Sequence, residues 1–190
     1  MITKAGKWLV SGWLVATLSC SLPAYSEEEI DQQLVALLKS TIAQADSFED
    51  RFDAEVWLMA KSSQLEKFIP DDGDRLELLR KIHRAATRAD LSPEVVLAVI
   101  QIESRFDSYA VSRAGAQGLM QVMPFWKREI GREEDNLTQV DTNLRYGCTI
   151  LKYYLDMEKG DLTPALARYN GSYGKTWYPE LVLVAWDYWR

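Results

Sequence analysis

The stretch that most constrains this chain is residues 91–104, "LSPEVVLAVIQIES". Ser92 can cap a helix through its hydroxyl, and Pro93 suits the first helical position because the N–H it lacks is unpaired there anyway. Glu94 is favoured in the first turn by the helix dipole. The helix so started carries apolar residues on every side from Val95 to Ile102, interrupted only by Gln101. A helix without a polar face must be enclosed by its neighbours, so the rest of the chain has to wrap it. The competing reading is a parallel-sheet strand; the Ser-Pro-Glu start and the lack of alternating patterns elsewhere speak against it. The run then ends in a carboxylate, Glu103.

The wrapping segments also read as helices. Ile30, Leu34, Leu37, Leu38, Ile42, Ala45 and Phe48 recur at three- and four-residue spacing after the acidic start "SEEEID". A second helix is expected over 50–68, with Phe52, Val56, Met59 and Leu65 on its apolar side. "IPDDGD" reads as a turn and a soft boundary. Leu76, Leu79, Ile82, Ala86 and Ala89 mark the next helix, and a short one after Pro124 carries Phe125 and Trp126. Leu144, Cys148, Leu151 and Leu155 mark another, from Asp141 to near Gly160. "DLTP" restarts the chain with Thr163 as cap, and "YPELVLVAWDYWR" opens a last helix at Pro179 with Trp186 and Trp189 on one face. The expected fold class is all-α.

The N-terminus reads as a secretory signal peptide. Lys4 and Lys7 precede an apolar stretch from Trp8 to Leu18, and Ala24-Tyr25-Ser26 supplies small residues for cleavage. The alternative is a helix that stays attached as a membrane anchor. Cys20 follows Thr17-Leu18-Ser19, with the leucine one place too near for the usual lipoprotein pattern, so lipidation there is the secondary expectation. The division expected is 1–26 signal peptide, 27–70 helical N-terminal extension and 71–190 main domain, with export to the periplasm.

Charge and cysteine content exclude several functions. The chain carries a net charge of −6, which grows more negative if Lys4 and Lys7 leave, and it has no basic run. Nucleic acid is therefore not an expected partner. After cleavage only Cys148 remains, so no intramolecular disulfide can form, and its helical setting reads as an inert buried thiol. The single histidine, His83, lies on a helical pattern among Ile82 and Ala85-Ala86 and reads as structural. No metal centre, cofactor or Ser-His-Asp triad is expected.

Glu103 taken alone is most simply a helix-end residue in solvent. If its buried helix also buries the carboxyl, desolvation raises its pKa toward neutrality, as a general acid requires. Its company decides between these. Glu103-Ser104 is followed by "AVSRAGAQ", then by Gly118-Leu119-Met120-Gln121 and Val122-Met123, and later by Tyr169-Asn170 in "ARYNG". These three ordered blocks closely resemble the soluble lytic transglycosylase (SLT) domain, family 1 of the peptidoglycan lytic transglycosylases. The likeness covers residues 74–175. It implies a lysozyme-like helical fold and the glycan strand of peptidoglycan as substrate. It also implies Glu103 as the catalytic acid/base, with Tyr169 as the tyrosine that hydrogen-bonds near that carboxyl. Ser112, Gln121 and Met123 fall on positions lining the sugar groove, and Asn170 is the polar neighbour of Tyr169.

Glycosidases that use water ordinarily need two carboxylates. A lytic transglycosylase needs one, because the substrate's own 6-hydroxyl attacks and its proximity supplies effective concentration. Asp107 in "RFDSYA" is the only other acid nearby and reads as a turn residue. The resemblance has two departures: "NGSYGKTW" stands where the family more often has Asn-Ala-Gly-Pro-Gly, and "WYPELVLVAWDYWR" replaces the usual Glu-Thr-Arg-containing stretch. Two other readings remain open, a lysozyme-type hydrolase and a non-catalytic glycan-binding or assembly factor on the same fold. A monomer is expected, with a cell-envelope or secretion-apparatus partner left open.

Overall fold

The computed structural model describes Ser47 and residues 50–190, so the signal segment and the helix expected from Ile30 lie outside the described residues. Among the described residues seven helices follow one another: α1 (Arg51–Leu65), α2 (Asp72–Arg88), α3 (Pro93–Glu103), α4 (Trp126–Ile130), α5 (Val140–Met157), α6 (Leu162–Asn170) and α7 (Trp177–Trp189). Among the described residues there is no strand, only isolated antiparallel bridges from Gln117 to Val111 and Val122. The fold is all-α.

Helix α3 sits at the centre, as its lack of a polar face requires. Ser92 caps it by accepting from the Val95 amide at 3.4 Å, Pro93 is its first residue, and Val95 through Ile100 are all buried. Each of the large side chains in that run contributes about 1.5–3 kcal/mol by leaving water. Helix α7 packs most heavily against α3, and α2 covers another side. Helix α5 joins α2 to α6, and α6 meets α7.

Helix α1 lies on α2 with a different face from the one its apolar residues suggest. Phe52, Val56 and Met59 are 70%, 51% and 51% exposed, while Ala54, Leu58, Lys61, Ser62 and Leu65 are buried. The exception that makes this possible is Lys61. Its ammonium reaches the end of α7 and donates to the carbonyls of Trp189 and Arg190, so the charge is buried against helix-end acceptors. Two other boundaries differ from expectation. "DDGD" is the first turn of α2, capped by Asp71 accepting from the Asp74 amide at 2.9 Å. Asp161, not Thr163, caps α6, accepting from the Thr163 amide at 3.0 Å.

His83 and Cys148 are structural, as expected. His83 shares a 2.8 Å hydrogen bond with the Ser47 hydroxyl, and burial lowers its pKa to about 4. Burial pushes the Cys148 thiol up to about 12, too high for a nucleophile at neutral pH.

Candidate functional site

The loop between α3 and α4 doubles back over the end of α3. Gly118 makes this possible: its φ is +72°, and a Cβ there would stand 2.5 Å from both the Asn143 amide nitrogen and the Leu137 carbonyl. Asn143, buried on α5, holds the loop from beneath. It accepts from the Met120 amide at 2.8 Å and donates to the carbonyls of Gln117 (2.8 Å) and Leu137 (2.7 Å). Both N–H groups and the oxygen of that amide are engaged, which fixes the loop's height above α5.

A cleft of about 270 Å³ opens between this loop and α6. Glu103, Ser112, Gln121, Met123, Tyr169 and Asn170, the six residues singled out in the sequence, all line it. Trp126 and Ile150 line it too; the sequence places Trp126 on the short helix after Pro124 but gives neither residue a place in the site. Ser112 accepts from the Ala116 amide at 3.0 Å. Gln121 takes a left-handed φ of 48° and donates to the carbonyls of Gly118 (2.9 Å) and Ala110 (3.2 Å), so its amide braces the loop it belongs to.

Glu103 is partly buried, and that burial raises its carboxyl to about 7. The opposing influence is one hydrogen bond: the Tyr178 hydroxyl donates to Glu103 Oε1 at 2.6 Å. Tyr178 is 2% exposed, and its own pKa is held well above the usual range by burial and by the neighbouring Glu103 charge, so it remains a donor. The sequence reading had not singled out Tyr178. The tyrosine it did choose, Tyr169, donates instead to the Met120 carbonyl at 2.7 Å. Tyr169 still feels the Glu103 charge, which helps keep its hydroxyl protonated after burial has done most of that.

No second acid lines the cleft among the described residues. Asp107 accepts from the Tyr109 amide at 2.9 Å, an exposed turn contact. A larger hollow of about 340 Å³ between α2 and α5 is edged by Lys81, Arg84, Arg88 and Arg145, and the carboxylate that lines it, Asp141, is paired with Lys81 and Arg84 at 3.2 and 3.4 Å. Chemically, the cleft offers one carboxyl, poised near neutrality, that can both give and take a proton.

The family model of the transglycosylase SLT domain matches residues 80–180. The chain belongs to that family. The SLT match contains every one of the six cleft residues and Tyr178, and leaves α1 and the end of α7 outside. A transglycosylase of Enterobacteria phage PRD1 is 33% identical over 96 residues, covering 50% of this chain and 35% of that protein. The membrane-bound lytic murein transglycosylase C of Actinobacillus pleuropneumoniae serotype 5b (strain L20) is 45% identical over 58 residues, 30% of this chain and 14% of that protein. Its namesake in Edwardsiella ictaluri (strain 93-146) is 49% identical over 45 residues, 24% of this chain and 12% of that protein. The likeness therefore spans no more than about a third of the length of these relatives. Among the described residues no helix is long and apolar enough to cross a membrane.

Proposed function

We propose that this protein is an exported peptidoglycan lytic transglycosylase. It cuts the β-1,4 bond between N-acetylmuramic acid and N-acetylglucosamine and leaves 1,6-anhydro-muramoyl ends. The observation that carries the reading is the Glu103 carboxyl, raised by burial to about 7 in a cleft that no other acid lines among the described residues. Protonated, Glu103 gives its proton to the glycosidic oxygen as the bond from the muramoyl C1 breaks. The carboxylate then removes the proton from the 6-hydroxyl of the same muramoyl unit while O6 bonds to C1. The proton returns to the enzyme and no water is consumed, so one carboxyl suffices. In this reading Ser112, Gln121, Met123 and Asn170 hold the glycan, and Tyr169 ties α6 to the loop through the Met120 carbonyl. Residues 1–26 act as the signal peptide, 27–70 as the extension and 71–190 as the catalytic domain, with the periplasm as destination.

The test is mass spectrometry of products from purified peptidoglycan treated with residues 27–190. Fragments ending in 1,6-anhydro-muramoyl groups are expected, with release falling about a thousandfold or more in Glu103→Gln. Fragments heavier by one water would replace the reading with hydrolysis. Binding without any cleavage would leave a glycan-binding or assembly factor.

A further inference from the structure

The chain turns sharply just after Glu103, and the turn is strained. Arg105 and Phe106 have φ values of 53° and 69°, in the left-handed region that side-chain-bearing residues rarely enter. Each such residue costs on the order of 1 kcal/mol or more and persists only where its surroundings hold it. Here the hold is aromatic. The Phe106 ring is buried, with the Phe68 ring centred 4.9 Å away and the Trp189 ring 5.6 Å away. The Arg105 guanidinium lies 5.9 Å from the centre of the same Phe68 ring.

Trp189 also grips the helix on the other side of the acid. Its indole N–H donates to Gln101 Oε1 at 2.8 Å, which accounts for the single polar residue in the apolar run of α3. One fully buried indole thus contacts residues 101 and 106, on either side of residue 103. Trp189 is itself pinned from α1. Lys61 donates to its carbonyl, while Gln64 donates to the Tyr188 carbonyl at 2.6 Å and the Tyr188 hydroxyl returns a bond to the Gln64 carbonyl at 2.7 Å. Phe68 and Trp189 both lie outside residues 80–180.

We propose that Phe68 and Trp189, supplied by the segments flanking the SLT match, are positioning residues for Glu103: they hold the left-handed turn and Gln101 so that the carboxyl is aimed into the cleft. The proposal rests on the reading of Glu103 as acid/base. On it, the working catalytic unit of this chain begins at α1 and runs through the end of α7, beyond the matched residues on both sides.

The experiment uses the full mature chain, residues 27–190, and compares wild type with Trp189→Phe, Gln101→Met, Phe68→Leu and Phe68→Tyr. Cleavage of purified glycan strands is measured across pH, and thermal unfolding is followed in parallel. Trp189→Phe keeps a ring but loses the bond to Gln101, and Gln101→Met breaks the same bond from the other end. Both are expected to lower kcat by about tenfold or more with KM changed less than about twofold. In both, the pH at which activity falls off should drop, because a loosened carboxyl regains water. Phe68→Leu should behave likewise, and Phe68→Tyr, which keeps the ring, should recover most of the rate. Ile82→Val, a core change on α2, is the control and should lower only the unfolding temperature. Trp189→Phe and Phe68→Leu proteins that unfold earlier but keep the wild-type kcat and pH profile when folded would overturn the proposal. A wild-type protein that cleaves no glycan would remove the acid/base reading, and the positioning role with it.

Discussion

The two ends of α3 each carry a glutamate, and the fold treats them in opposite ways. Glu94, in the first turn, is also drawn out of water, and burial alone would raise its pKa. But Trp57 Nε1 donates to one of its oxygens at 2.6 Å and the Ser92 hydroxyl to the other at 2.8 Å, and the Lys61 charge stands near. Together with a backbone N–H these outweigh burial and hold the carboxylate below its ordinary range. Glu103, at the other end, has the disfavoured end of the dipole, burial and, among the described residues, a single tyrosine. Where a charge serves only the fold, the fold surrounds it with donors. Where it is left under-supplied, the chain is giving up stability, and a cleft beside it supplies the reason.

The same substitution, Glu→Gln, should therefore change stability in opposite directions at the two ends. At Glu103 the folded pKa of about 7 stands above the ordinary 4.5, so the folded protein binds the proton more tightly than the unfolded chain. The stability this brings is complete below the ordinary value and is lost as pH rises through about 7. Glu103→Gln should accordingly be more stable than wild type by about 3 kcal/mol at pH 8 and nearly equal to it at pH 4, as read by urea unfolding. Equal stability at both would mean a solvated carboxyl and would erase the contrast.

At Glu94 the sign reverses. A carboxylate whose pKa is lowered contributes stability above its ordinary value and loses it as pH falls through the folded one. Glu94→Gln should cost about 1–2 kcal/mol at pH 7, with the deficit shrinking in acid. Cleavage by this variant should keep the wild-type pH profile. A shift in that profile would show that the two ends are not independent.

The smallest expected effect sharpens the contrast from inside the cleft. Tyr178→Phe removes the one hydrogen bond that opposes burial at Glu103. The pH at which activity falls should move upward, by less than about one unit. A fixed or falling limit would mean that Tyr178 does not donate to the working carboxyl.

Much of this was legible in the sequence where a local signal existed. Ser92-Pro93-Glu94 announced α3, the unbroken apolar run announced its burial, and the ordered blocks around Glu103 and Tyr169 brought six residues to one cleft. What was not legible depends on the far end of a contact. Tyr178 sits in an aromatic-rich segment, 75 residues from the carboxyl it touches, with no periodic mark to distinguish it from its neighbours. Lys61 looks like a surface cation until its acceptors are seen 128 residues away, and without them the apolar face of α1 is misread through Phe52, Val56 and Met59. Gln101 shows the same logic in reverse, a polar residue whose partner is an indole 88 residues on.

Those separations carry a consequence in the order of assembly. A chain made from its N-terminus has α1 to α6 available before α7 exists. Yet the bond that holds the Glu103 carboxyl, the bond to Gln101 and the Lys61 anchor all wait for residues 178 to 189. Contacts so distant in sequence form late, after the entropy of closing long loops has been overcome. The glutamate thus lacks its tyrosine partner on a growing chain and gains it only when α7 docks. Synthesis itself delays completion of the site until α7 has been made.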